Sequence, residues 1–261
     1  MEQVSQVEHL SCQAIQAFAA DPHVYEMFLF GSYEKKTHDR YSDVDLQVVS
    51  QNFDATMSQF RRCLSDIGQV LVAFPLVAQV GYAAYMVLFE NYPFYTKLDI
   101  NVSDVERCTP FSTKACVYRR DVIPSHEVST YQPVLFEEPL NTLYGYYLGA
   151  IRYMKYRKRG KHFSAYKFYR AQLDYLLSRW YREVSHEHSI ERLGILEYQL
   201  LDMREESAVL KRYLYPGNEQ TMDMFYIEML QKIADESQSS LNKEHKKVLN
   251  SMLDFLKREA S

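Results

Sequence analysis

Apolar residues recur at helical spacing over residues 4–20, with Val7, Leu10, Ala14, Ile15 and Phe18 on one face. The period then changes. Residues 25–30 form a short apolar run that ends at Gly31-Ser32, which predicts a buried strand delivering a turn. Residues 44–49 predict a second strand. Helical periodicity returns over residues 54–67, with Asp54 as the expected N-cap. Strands are expected at 70–74, 83–89 and 95–102, the last following the turn around Asn91-Tyr92-Pro93. From Leu140 onward the pattern is helical, at 140–158, 162–184, 189–202, 220–234 and 239–258.

This order predicts an α+β protein. An N-terminal α/β domain with a mixed sheet spans residues 1–139, and a helical bundle spans 140–261. Proline supports the cut, because seven of the eight prolines lie at or before Pro139. Charge divides the chain at the same place. Residues 1–139 hold 10 Lys and Arg against 18 Asp and Glu, and residues 140–261 hold 20 against 16. The excess is local: residues 151–182 contain ten basic side chains and Asp174 as the sole acid. A net charge of −4 over 261 residues argues against a general nucleic-acid binder. No apolar run approaches the ~18 residues of a membrane span, and no secretory signal is visible, so a cytoplasmic protein is expected. The four cysteines (Cys12, Cys63, Cys108, Cys116) form no CxxC pair and read as free thiols.

The chemistry concentrates in Phe28-Leu29-Phe30-Gly31-Ser32 and, ten residues on, Asp43-Val44-Asp45-Leu46. Glycine lets backbone N–H groups approach an anion, and the serine hydroxyl adds a donor. A helix starting at Ser32 would add its dipole. Asp43 and Asp45 stand at i and i+2 of a strand, so they face the same way. Adjacent carboxylates repel unless a cation lies between them. An oxygen-only donor set suits Mg²⁺. Asp99 sits in a strand-like run of apolar neighbours, against β propensity, and makes a third candidate. Three carboxylates can hold two metals ~3.5–4 Å apart.

The pattern of apolar strand, Gly31-Ser32, spacer, Asp43-x-Asp45 and a later strand aspartate resembles the polymerase-β-like nucleotidyltransferase superfamily. The stretch Gly31-Ser32-Tyr33-x-Lys35-x-x-x-Asp39-x-Tyr41-Ser42-Asp43 is similar to two-domain bacterial lincosamide nucleotidyltransferases. The resemblance implies that Gly31, Ser32 and Lys35 contact the nucleoside triphosphate. It implies that Asp43 and Asp45 bind Mg²⁺, and that Asp99 is a third ligand or the general base for the acceptor hydroxyl. One departure stands out: many relatives have Gly after the basic residue of the turn, where this chain has Lys36. The implied reaction transfers a nucleoside monophosphate to a small hydroxylated acceptor and releases pyrophosphate. A lincosamide is expected first and an aminoglycoside second.

The basic run Arg152, Lys155, Arg157, Lys158, Arg159, Lys161, Lys167 and Arg170 offers charge for a triphosphate, with Lys161 beside the Gly160 break as the best single candidate. The interleaved Tyr153, Tyr156, Phe163, Tyr166 and Tyr169 permit RNA stacking, but helical spacing favours core packing. Tyr144, Tyr147 and Trp180 are candidates for an acceptor pocket, and His186 and His188 read as surface residues. Two rival acceptors stay open, RNA and a partner protein of an antitoxin-like system. Modest length and negative net charge count against RNA. Some relatives build their sites across a homodimer, although no feature here requires one.

Overall fold

The structure is a computed structural model, and it describes residues 4–108, 115–121, 129, 140–185, 212–237 and 241–260. The chain divides into two compact units, residues 1–137 and 138–261.

In the first unit α1 (Val4–Ala19) precedes β1 (Val24–Phe30), β2 (Val44–Ser50), α2 (Phe53–Ile67), β3 (Val70–Gln79), β4 (Tyr82–Phe89), β5 (Leu98–Asp104) and β6 (Ala115–Arg119). The strands form one six-stranded sheet in the order β3-β4-β5-β2-β1-β6. Only β2 and β5 run parallel, and every other neighbouring pair is antiparallel. This mixed sheet is the one the sequence implied. Helices α1 and α2 bury Val7, Leu10, Phe18, Phe53, Phe60 and Leu64 against Val44, Leu46, Val48, Leu98, Ile100 and Val102. Strand side chains alternate, so the residues between these apolar positions, Asp45 and Asp99 among them, point to the other face.

The boundaries depart from the sequence pattern where a local rule is overridden. The N-cap of α2 is Asn52, not Asp54: its side chain accepts from the Ala55 N–H at 2.9 Å, and Asp54 falls in the first turn. Strand β3 continues through Pro75 to Gln79, past the expected end at residue 74. It can do so because β3 is an edge strand, and its pairing with β4 shifts register between Pro75 and Val77. Strand β5 starts at Leu98 rather than Tyr95, because Thr96 N–H closes a turn onto Pro93 O at 2.7 Å. Strand β6, with burial that fits no alternation, was not anticipated.

The second unit contains α3 (Leu140–Lys158), α4 (His162–Ser185), α5 (Glu219–Ser237) and α6 (Lys243–Ala260). Gly160, at φ +67°, ends α3, and Lys161 N–H bonds back to Tyr156 O at 2.8 Å. The core is unusually phenolic. Tyr153 stacks on Tyr226 with centroids 4.3 Å apart, and Tyr144, Tyr147 and Tyr169 are buried with them. Tyr144 and Tyr147 are therefore core residues and do not line an open pocket. The helix expected at 189–202, together with His186 and His188, lies outside the described residues, and so does the side chain of Trp180.

Candidate active site

The site begins at the end of β1. Gly31 takes φ +70°, and a Cβ there would collide with Asp45 Oδ2. Glycine is thus required twice, for the left-handed backbone and for the close approach of the carboxylate. Residues 31–36 are turns, so no helix starts at Ser32, and the helix dipole invoked for the phosphates is absent there. The turns are held by Lys35 N–H to Gly31 O at 3.4 Å, Lys36 N–H to Tyr33 O at 3.1 Å and Thr37 N–H to Ser32 O at 3.0 Å. Lys36 has φ 52°, in the left-handed region that glycine adopts at least cost. Ser32 is half-buried in this loop and Lys35 is exposed.

A second turn delivers Asp43. The Asp39 carboxylate accepts from Tyr41 N–H at 3.0 Å and from the Ser42 hydroxyl at 3.1 Å, while Ser42 Oγ accepts from Asp39 N–H at 2.9 Å. Asp39 and Ser42 therefore lock the approach to β2. Behind them Tyr41 packs edge-on against Tyr95 with centroids 5.1 Å apart.

The parallel pairing of β2 and β5 places Asp45 directly beside Asp99. Asp43 joins them through a residue that the sequence reading missed. Lys97, only 2% exposed, lies between Asp43 Oδ2, at 3.2 Å, and Asp99 Oδ2, with which it forms a second ion pair. A buried ammonium is tolerated only when paired, and here two carboxylates pair it. The available signal was the i,i+2 spacing of Lys97 and Asp99, which puts opposite charges on one strand face. The structure thus brings Asp43, Asp45, Asp99 and Gly31 together.

Lys161 belongs to the helical unit, where it is exposed at the start of α4. Several of its basic neighbours are engaged inside that unit. Arg157 binds Asp223 at 2.9 Å and Glu219 at 2.6 Å, Lys158 pairs with Glu259 at 3.5 Å, and Arg170 pairs with Asp174 at 3.3 Å. Lys161 and Lys167 make no ion pair among the described residues.

A strand-borne carboxylate cluster beside a glycine turn offers hard oxygen donors for a cation and backbone N–H groups for an anion. Residues 11–85 match the family model of the nucleotidyltransferase domain. The match lies within the N-terminal unit and takes in Gly31, Asp43 and Asp45, while Lys97 and Asp99 lie beyond it. Among solved structures, the chain is similar to the STING-associated CdnE c-di-GMP synthase from Capnocytophaga granulosa, at 15% identity and a TM-score of 0.30, over 99% of this chain and 81% of that one. No curated protein matches the chain.

Nucleotidyltransferases generally use divalent metal ions. The donors here have the right chemistry, because carboxylate oxygens are hard ligands suited to Mg²⁺. Their present arrangement is not a ready cage. Among the described residues no three acidic, histidine or cysteine groups stand in metal-holding geometry. Lys97 gives the physical reason, because its ammonium stands between Asp43 and Asp99. Asp43 and Asp45 remain the pair on one strand face that fits a divalent ion shared with substrate phosphates.

Proposed function

We propose that the protein transfers a nucleoside monophosphate from a nucleoside triphosphate to the hydroxyl of a small molecule. The observation that carries this reading is the pairing of Asp45 with Asp99 across β2 and β5, beside Asp43 and against Gly31. A bound Mg²⁺ would supply Lewis acidity and charge neutralisation at the phosphates, held by Asp43 and Asp45. The backbone and hydroxyl of the Gly31-Ser32 turn orient the triphosphate, and Lys35 adds charge from the same loop. Asp99 faces the acceptor hydroxyl and takes its proton. The acceptor oxygen bonds to the α-phosphorus, the bond from that phosphorus to the bridging oxygen breaks, and pyrophosphate leaves with the electron pair. Positioning accounts for most of the rate, as in other phosphoryl transfers.

The basic run of the helical unit, with Lys161 as its best single candidate, is assigned to charge for the anionic substrate from the sequence pattern. The acceptor class rests on the turn sequence, which ranks a lincosamide first and an aminoglycoside second.

The test is pyrophosphate release with Mg²⁺ and each of the four nucleoside triphosphates against a panel of both antibiotic classes, with Asp45→Asn as the blank. Release with one antibiotic, reduced by several orders of magnitude in a folded Asp45→Asn, is the expected result. Near-normal turnover by that variant would remove the carboxylate assignment. Silence across the panel would remove the antibiotic acceptor and shift the reading to RNA or a protein.

A further inference from the structure

Lys97 makes the acidic cluster unlike a bare triad of carboxylates. Its side chain is 2% exposed, and its Nζ is committed to two of the three acids, at 3.2 Å from Asp43 and in closer contact with Asp99. The two acid side chains keep partial exposure, 24% and 21%, although Asp99 Oδ1 is itself buried. Its position is fixed by the backbone. Lys97 O accepts from Val44 N–H at 2.9 Å, which ties the lysine to the start of β2 between Asp43 and Asp45.

Three carboxylates and one ammonium leave a doubly negative cluster, which one divalent ion balances. Two divalent ions would have to share the cluster with a cation that cannot escape to water without unburying its stem. We propose that Lys97 is a built-in cation that occupies the place of a second divalent ion, bridging Asp43 and Asp99, so that the loaded site takes one divalent ion together with its nucleotide. This differs from the expectation of a two-metal site, and it rests on the nucleotidyltransferase reading above. Lys97 acts through the two aspartates and is a positioning residue.

The idea makes the ion count measurable. Mn²⁺ bound to the full-length protein is counted from the loss of the free-ion electron paramagnetic resonance signal, without nucleotide and with the α,β-methylene analogues of ATP and GTP in turn. The expected wild-type result is one ion per nucleotide complex. Two ions in the wild type would overturn the proposal while leaving the nucleotidyltransferase assignment intact. Lys97→Met should bind a second ion, and should gain at least tenfold in Mn²⁺ affinity without nucleotide. A folded Lys97→Met that still binds one ion, at unchanged affinity, would also overturn it. Lys97→Arg should keep the wild-type count, since it restores the cation. If Lys97→Met fails to fold, the wild-type count alone still decides. Failure of either nucleotide to bring any Mn²⁺ to any of these proteins would instead remove the metal reading, and this inference with it.

Discussion

A methyl group on Gly31 would run into Asp45 Oδ2, and the backbone there lies in the left-handed region. Gly31→Ala therefore carries two penalties. The strained backbone costs about 1–2 kcal/mol of stability. The displaced Asp45 carboxylate lowers turnover by about 100-fold, the typical effect of a misplacement near 1 Å. Thermal melts and pyrophosphate release on the same preparation separate the two effects. Equal turnover in variant and wild type would show that Asp45 needs no such close approach. The sequence made Gly31, Asp43 and Asp45 legible because strand periodicity alone predicts which side chains share a face. It left Lys97 obscure, because its spacing to Asp99 was legible but its burial also depends on Asp43 before β2, which no local pattern brings beside it.

At the scale of elements, helices and central strands were readable because each buries one periodic face. The ends were less so, because caps compete. Asp54 and Asn52 are both capping residues, and the choice falls to Asn52, whose backbone is extended and whose Oδ1 reaches Ala55 N–H. Asn52→Ala should cost about 1 kcal/mol in denaturant unfolding, and Asn52→Asp should cost less. An equal loss from both would mean that the cap hydrogen bond is not what stabilises this end. The extension of β3 past Pro75 and the existence of β6 were hidden for another reason. Edge strands need only one hydrogen-bonded neighbour, so their sequences escape the alternation that marks central strands.

Across the whole molecule, buried acids of high pKa occur in both units. Burial pushes the Cys63 thiol up to about 11 in the first unit and the Tyr144 phenol up to about 12 in the second. Burial also raises Tyr153, reinforced by its hydrogen bond to Asp223. In each case the folded state disfavours the anion. The stabilisation is complete below the ordinary pKa, 9.0 for the thiol and 10.0 for the phenol, and is lost as pH rises through the folded value. Unfolding free energy should thus decline from about pH 9 upward, and Cys63→Ala should flatten the earlier part of that decline. Denaturant melts at intervals between pH 8 and 11 check this, and a flat profile would contradict it. The parallel pairing of β2 with β5 has a consequence in time. Asp45 and Asp99 become neighbours only after the chain between them, α2 and the β3–β4 hairpin, has been made and folded back. Hairpins close locally and early, whereas a pairing across such a loop closes late. A chain emerging from the ribosome therefore completes its carboxylate pair only when β5 has been synthesised and has docked. During refolding, catalytic competence should return with the last phase of sheet assembly, well after most of the secondary structure has formed.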